Sequence, residues 1–514
     1  MEMMRYTKSI IGFGEISGIL FSTSTYVRTY THKYTSAHID STHIHTQQDF
    51  PQYRHKCVDS NPPIARVTRP PIFHRFMNVQ LVDPRDVKHI LKDNFENYIK
   101  SPDFIENFRD ALGTGIFVTD HGPHAGDKGK RWYKQRKSSA KIFTRQNFRT
   151  FFLEQFALGS ESVCKVLNKY STSGETLDLQ RLMGSFTLDS IGHVAFGSNL
   201  ECLDREIRKV SGTQLSASQE FAIAFDKAQH HAIERFVTPL RKLVPSFLRS
   251  YMFKSEREII ETRRVMVTFC NKMIDEAIKC RDKNKKKWDQ RHDLLAMHIK
   301  DASAKHTRSD LIDMILSFFI AGRDTTRATL TFLFKVLGQN PDIQKKLLEE
   351  INDTFGSSSS TPTFDKLQRK SMPYLDGLVQ EVLRLYPPVY SDPKFCCKDD
   401  VLPSGITIPA QTVVSYVPYT MGRLKNFLYG PEPLKVDPYR WKKIPNDYNF
   451  PVFQGGPRVC LGKRMAYLEV KTLVVIVLSK GYRFKLDENQ DLECYNLQPT
   501  LVLEHGLKVK VVRV

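Results

Sequence analysis

The chain has 514 residues, far too many for a small disulfide scaffold and ample for a large core. An apolar fraction of 41% and an aromatic fraction of 11% exclude a mostly disordered polymer. Lysine and arginine number 76 against 56 acids, a net +20 that suits an acidic partner, an anionic membrane surface or nucleic acid without choosing among them. Nine cysteines, an odd number with no C-x-x-C pair, point to a reducing, cytosol-facing environment rather than a disulfide framework. Length by itself would allow about three or four average domains.

In chain order, residues 1–60 show no clear period and read as a leader and linker. The stretch 10–27 comes nearest to a signal anchor, but Glu15 and several Ser and Thr residues break it well short of the roughly 20 apolar residues that span a bilayer. Pro62, Pro63, Pro70 and Pro71 stiffen the approach to the folded body, taken as 61–514. Residues 77–82 read as a strand, and Pro84 opens a helical pattern over 85–95 through Val87, Ile90 and Leu91. Helical patterns then dominate, at 177–196, 216–237 and 256–287. The lysine run at 283–287 has no interleaved aromatics and reads as a solvated loop. No internal repeat of period about 20–50 is present.

The segment 309–338 differs from these. Ser309 or Asp310 can cap its start, and Gly338 with Pro341 can end it, giving a helix about 45 Å long. Apolar residues surround it, so it is buried. At its middle stands Ala321-Gly322-Arg323-Asp324-Thr325-Thr326. Glycine weakens a helix by about 1 kcal/mol against alanine, and buried Asp and Thr are costly unless satisfied. Such a breach of local rules marks either a site or a kink closed by Thr bonding to the preceding turn.

A second constellation is Phe453-Gln-Gly-Gly456-Pro-Arg458-Val-Cys460-Leu-Gly462, followed by a helical pattern over 463–478. Cys460 therefore precedes a helix N-terminus, where the dipole and free N–H groups favour a thiolate. Gly456 permits a tight turn beneath the sulfur, Gly462 permits close approach at the helix start, and Arg458 can pair with a carboxylate of a ligand. A lone thiolate fits zinc poorly and fits an axial bond to haem iron. The alternative is an inert buried cysteine.

The 453–462 run resembles the cysteine loop of the cytochrome P-450 haem-thiolate monooxygenases at every defining position. Three weaker motifs stand in the order that family requires. Glu381-Val-Leu-Arg384 resembles its Glu-x-x-Arg pair, and Pro438-Tyr-Arg440-Trp441 resembles its Pro-x-Arg-Phe turn with Trp for Phe. Trp132 and Arg136 resemble its Trp-x-x-x-Arg pair. The resemblance implies a mainly α fold, a single large helical domain with small β-sheets and a long central helix. It implies haem b with its axial thiolate from Cys460, and Trp132, Arg136, Ala321, Phe453, Gly456, Arg458 and Gly462 about the cofactor. It further implies that Asp324 and Thr325 handle protons for bound O2, and that Glu381, Arg384 and Arg440 form a buried structural triad. The segment 121–130 looks like a small insertion before Trp132.

Within the family, the text at 321–326, 383–388, 398–403 and 416–423 resembles the plant and fungal long-chain fatty-acid ω-hydroxylases. That implies hydroxylation of a fatty acid near its terminal carbon, in a pocket walled by Phe318, Phe319, Ala321, Pro388 and Val389. It also implies an endoplasmic-reticulum, cytosol-facing location. No flavin or nicotinamide fingerprint is present, so electrons come from a partner, an NADPH-dependent reductase flavoprotein on this reading. Sterols or other hydrophobic metabolites are the alternative substrates. An isomerase on the same fold, a non-catalytic haem sensor and a basic nucleic-acid-binding protein are the rival functions. The last rests on charge alone, so no nucleic-acid partner is expected.

Overall fold

The computed structural model describes residues 65–68 and 78–514, apart from 122–126, 209–215, 302–305, 357–361, 444 and 497. The 1–60 leader, its 10–27 stretch and the four prolines lie outside the described residues. The described chain is mainly helical, with strands gathered into three small sheets.

The largest sheet has five strands in the order β1 (Ala65–Thr68), β2 (Asn78–Leu81), β8 (Val413–Tyr416), β5 (Asp392–Cys396) and β3 (Tyr98–Lys100). Only β2 and β8 run parallel, with Val79 opposite Val414. β4 (Thr176–Asp178), β10 (Lys508–Arg513) and β9 (Tyr482–Leu486) form a second, antiparallel sheet. β6 (Asp400–Val401) and β7 (Thr407–Ile408) pair as a short ribbon.

The longer helices are α1 (Pro102–Leu112), α2 (Asp127–Ala140), α3 (Leu153–Ser173), α4 (Leu179–Phe196), α5 (Ala217–Val237) and α6 (Lys254–Lys283). They continue with α7 (Arg308–Phe319), α8 (Thr325–Gln339), α9 (Pro341–Phe355), α10 (Pro373–Leu385) and α11 (Lys463–Ser479). One large apolar core runs through these helices, and a smaller one fills the space between β2, β8 and the 84–91 segment.

Some boundaries depart from the sequence pattern, each for a local reason. The pattern at 177–196 loses its first two residues to β4, because Leu177 pairs with Val509 and the Asp178 carboxylate caps α4 through Arg181 N–H. The 256–287 pattern breaks at Asn284, whose side chain caps a one-turn helix, Lys285–Asp289, that buries Trp288. The lysine run is exposed as expected but is partly helical rather than a loop. The central segment is capped two to three residues earlier than expected. Thr307 is the cap, in a reciprocal box with Asp310, so neither Ser309 nor Asp310 caps it.

The central helix is α7 and α8 joined by a π-helical turn, Ile320–Asp324. Gly322 sits in that turn against α4. A Cβ there would lie 2.6 Å from Ile191 Cδ1, so the glycine both admits the wide turn and lets the two helices approach. α8 packs along α4 and α10, and α11 packs on α3. Among the described residues no helix is long and apolar enough to cross a membrane.

Candidate active site

The cysteine loop leaves the 3₁₀ turn Pro451–Phe453 through Gln454, a non-glycine residue at φ 58°. Such a left-handed position is strained and persists only where its surroundings hold it. Gly456 follows at φ 61°, and a Cβ on it would lie 2.1 Å from the Leu91 carbonyl oxygen. Both the turn and the close approach therefore demand glycine. Cys460 N–H donates to the Phe453 carbonyl at 2.8 Å, closing the loop beneath the sulfur. Gly462 caps α11 at φ −87°, and a Cβ there would meet only Cys460 Sγ, at an ordinary 3.9 Å. Its place at the helix start is thus not a steric necessity.

Cys460 lies deep in the protein yet is exposed, because its free face opens onto an internal cavity. Burial pushes the free thiol up. The Gly462 N–H, the charges of Arg136 and Lys463, and the Lys463 N–H oppose that rise without cancelling it. The helix N-terminus acts in the expected direction, but in the free loop desolvation outweighs it. A cation at the open face of the sulfur would tip this balance toward thiolate.

The cavity has about 1490 Å³ of empty space counting its open mouth. Trp132, Arg136, Ala321, Thr325, Phe453, Arg458, Cys460 and Gly462 all line it. Arg136 donates to the Val459 carbonyl at 2.5 Å and lies over the Trp132 ring at 5.8 Å. The Arg458 guanidinium is 4.3 Å from the centre of the same ring. Burial lowers both arginines from their ordinary values, Arg458 to about 10 despite Asp120 nearby. A thiol with converging N–H groups, two desolvated cations and an indole on one large cavity fit a group that joins a metal centre to acidic edges. Haem is such a group.

His121 escaped the sequence reading. It stacks on Phe95 at 3.7 Å and accepts from Arg458 at 2.8 Å, so it orients the Arg458 fork. The residue that looked like the start of an insertion is thus buried against Arg458, and Asp127–Lys130 already belong to α2. Lys100 at the end of β3 also lines the cavity, and burial brings its ammonium down to about 7 although Asp392 lies 4.0 Å away. No local signal distinguishes either residue.

On the central helix, Thr325 faces the cavity and donates to the Ala321 carbonyl at 2.5 Å. That bond closes the π turn, the geometry of the kink alternative, and it leaves the oxygen lone pairs toward the cavity. Asp324 does not line the cavity. It is buried, with Oδ2 accepting from Gln229 on α5 at 2.9 Å and Oδ1 3.3 Å from Arg327. Thr326 does line it, and behind Thr326 stands Glu469 of α11, fully buried. Burial pushes the Glu469 carboxyl up to about 8, against hydrogen bonds with Ser190 and Thr326. Phe318, Ala321, Pro388 and Val389 form apolar wall, whereas Phe319 points away into the core between Phe196 and Phe221.

Away from the cavity, Arg384 makes a two-pronged bond to Glu381, with both contacts 2.7 Å and both residues buried. Arg440 Nε lies 3.4 Å from Glu381 Oε1, though its terminal nitrogens serve the Tyr429, Glu432 and Lys435 carbonyls. Glu381 also accepts from Trp441 Nε1 at 2.8 Å and from Asp437 N–H at 2.9 Å. The Trp that replaces Phe in the turn therefore adds a donor that Phe lacks. Gly377 and Gly422 allow this packing. A Cβ on either would lie within 2.1–2.3 Å of a carbonyl oxygen, of Pro438 and Arg384 respectively.

The cytochrome P450 family model matches residues 73–511. The chain belongs to the cytochrome P450 family. Similar proteins include cytochrome P450 704B1 of Arabidopsis thaliana, 32% identical over 84% of this chain and 86% of the relative. Cytochrome P450 94A1 of Vicia sativa is 32% identical over 77% and 74%, and cytochrome P450 94B1 of Arabidopsis thaliana is 33% identical over 84% and 81%. As a P450, the chain is a monooxygenase, an oxidoreductase that incorporates oxygen from O2, and its cofactor is haem with an axial cysteine thiolate. P450s take electrons from a redox partner and act on hydrophobic substrates. A second set of metal-type side chains in this P450, Cys494, Glu504 and His505, does not line the cavity; Cys494 Sγ donates to Glu504 at 2.8 Å.

Proposed function

We propose that this P450 hydroxylates long-chain fatty acids near the terminal carbon, with Cys460 as the axial ligand. The observation that carries the reading is the single cavity that joins the Cys460 sulfur at one end to an apolar wall of Phe318, Ala321, Leu383, Pro388 and Val389. An alkyl chain needs such a wall and few polar groups. Resemblance of 321–326 and 416–423 to the ω-hydroxylases supports the substrate class. Trp132, Arg136 and Arg458, with Phe453 beneath, would hold the haem, and residues 61–514 form the catalytic unit on this reading.

When bound, the haem supplies insertion of one oxygen atom of O2 into a C–H bond, the other being reduced to water. The chain's own residues do the rest. The apolar wall binds the substrate and excludes water. Thr325 commits its proton to the Ala321 carbonyl and so presents lone pairs that accept a hydrogen bond from a proton donor in the cavity. Asp324 stands one residue back; on leaving Gln229 it would take up a proton from water and pass it to that donor. Electrons arrive from an NADPH-dependent flavoprotein whose acidic face the +20 charge attracts, at the cytosolic side of the endoplasmic reticulum.

Cys460→Ser is expected to abolish the thiolate-type spectrum of the reduced carbonyl complex; its survival would assign the iron to another cysteine. Thr325→Val should keep haem and substrate binding while O2 uptake continues and product falls. Unchanged coupling of uptake to product removes Thr325 from proton delivery. The substrate reading is tested with a reductase, NADPH and a fatty-acid series, mapping the hydroxyl by mass spectrometry. Oxidation of sterols with no oxidation of any fatty acid would overturn it.

A further inference from the structure

A second chamber, about 1220 Å³ with its mouth, opens where α1 meets the end of α5 and the start of α6. Lys100 lines both this chamber and the one that holds Cys460, so it is the partition between them.

The chamber's wall sets five Lys and Arg side chains against four acids, Glu106, Asp110, Asp120 and Glu256, with Asp110 2.8 Å from Arg235. Arg235 and Arg241 are 4% and 3% exposed, and Glu256 is the one buried carboxylate beside them. Arg235 takes that carboxylate with both prongs, at 3.0 and 2.6 Å. Arg241 Nη2 donates to the Asn107 side-chain oxygen and its Nη1 lies 3.6 Å from Glu256 and 3.5 Å from the half-exposed Glu106, but its buried Nε has no hydrogen-bond partner. A buried guanidinium with an unmet donor is costly and is normally satisfied by an anion or water. Arg109 and Arg249 stand at the same chamber and add to its positive field. Phe247 and Ile260, both largely exposed, supply an apolar rim beside these cations. Cations below an apolar rim match one end of an amphiphile.

We propose that this chamber is the carboxylate subsite of the enzyme, with Arg241 as the principal contact, and that the alkyl chain passes Lys100 into the Cys460 cavity. This rests on the fatty-acid reading above. A chain anchored by its acid end in the second chamber presents its methyl end in the first, which accounts for oxidation near the terminal carbon. Arg241 is a binding residue here and takes no part in the oxidation.

The test is equilibrium titration of the haem-loaded enzyme with dodecanoate and with methyl dodecanoate, followed by calorimetry and by the haem spectrum. Wild type should bind the acid tighter than the ester by about tenfold or more, the usual effect of a charge-assisted hydrogen bond. Arg241→Met should erase that difference by weakening the acid alone, and Arg241→Lys should keep part of it. Equal affinities in wild type, an unaltered preference in Arg241→Met, or equal losses of acid and ester would each overturn the subsite. Should Arg241→Met fail to load haem, Arg249→Met is read instead. There a loss of about twofold or more for the acid alone is expected, and unchanged acid binding overturns the proposal. If no fatty acid is oxidised yet the acid preference persists and depends on Arg241, the subsite stands and the substrate reading falls. Oxidation of acids with no acid preference gives the reverse.

Discussion

Two buried ionic clusters of this P450 invite comparison. Around Glu381, four hydrogen bonds from Arg384, Trp441 and Asp437 converge on a single carboxylate, and the spare donors of Arg384 reach the Gly422, Pro433 and Lys435 carbonyls. Around Glu256, two buried guanidinium groups share one buried carboxylate, and a donor of Arg241 goes unmet beside a cavity. Both are desolvated and both join distant segments. The first is closed around Arg384, whose guanidinium nitrogens are all engaged, although Arg440 Nε, 3.4 Å from Glu381, makes no hydrogen bond; it holds the fold. The second is open toward empty space, so it has the character of a binding site. Charge count alone does not separate them, and each has a buried arginine Nε without a hydrogen bond; the cavity beside Arg241 does.

The largest test of this contrast is Glu381→Ala. It strands Arg384 in the core and is expected to destabilise by about 3–5 kcal/mol, with loss of haem and of soluble protein. Normal haem loading and an unshifted denaturation midpoint would show that the cluster is not closed in the way described. Trp441→Phe comes next. It removes one donor to a charged acceptor, for a loss of about 1.5–3 kcal/mol read in a urea melt. Arg241→Met should cost less, about 1 kcal/mol, because Glu256 keeps the full fork of Arg235. If Arg241→Met proved as damaging as Glu381→Ala, the two clusters would be of one kind.

A different kind of effect, read in pH dependence, concerns Glu469, whose carboxyl burial raises from 4.5 to about 8. A raised acid means the folded state binds the proton more tightly than the unfolded chain. Stability is then fully present below about pH 4.5 and declines as pH rises toward about 8. Glu469→Gln removes the titrating group, so its melting temperature should fall less than that of wild type between these limits. Parallel pH profiles for the two proteins would mean that Glu469 carries no such shift.

Some of this was legible without coordinates because it is local. The cysteine loop needs glycine at 456 and a helix start after 462, and both are written within ten residues. Glu381 and Arg384 are one helical turn apart, so their pairing follows from spacing. Gly322 within a buried apolar helix signalled a site or a kink, and the structure has a π turn there. The cap at Thr307 was misplaced by two residues because Ser309 and Asp310 are equally good cap types, and only the reciprocal bond to Asp310 selects Thr307.

What the sequence by itself determined is the thiol, its loop, the apolar central helix and the basic charge. Tertiary structure alone decided which polar groups meet. His121 reaches Arg458 across 337 residues, Gln229 draws Asp324 off the cavity across 95, and Trp441 finds Glu381 across 60. Each of these pairs is a choice among many equivalent donors and acceptors along the chain. Burial makes the choice, because in a desolvated interior a donor left without its partner costs more than any local preference can supply.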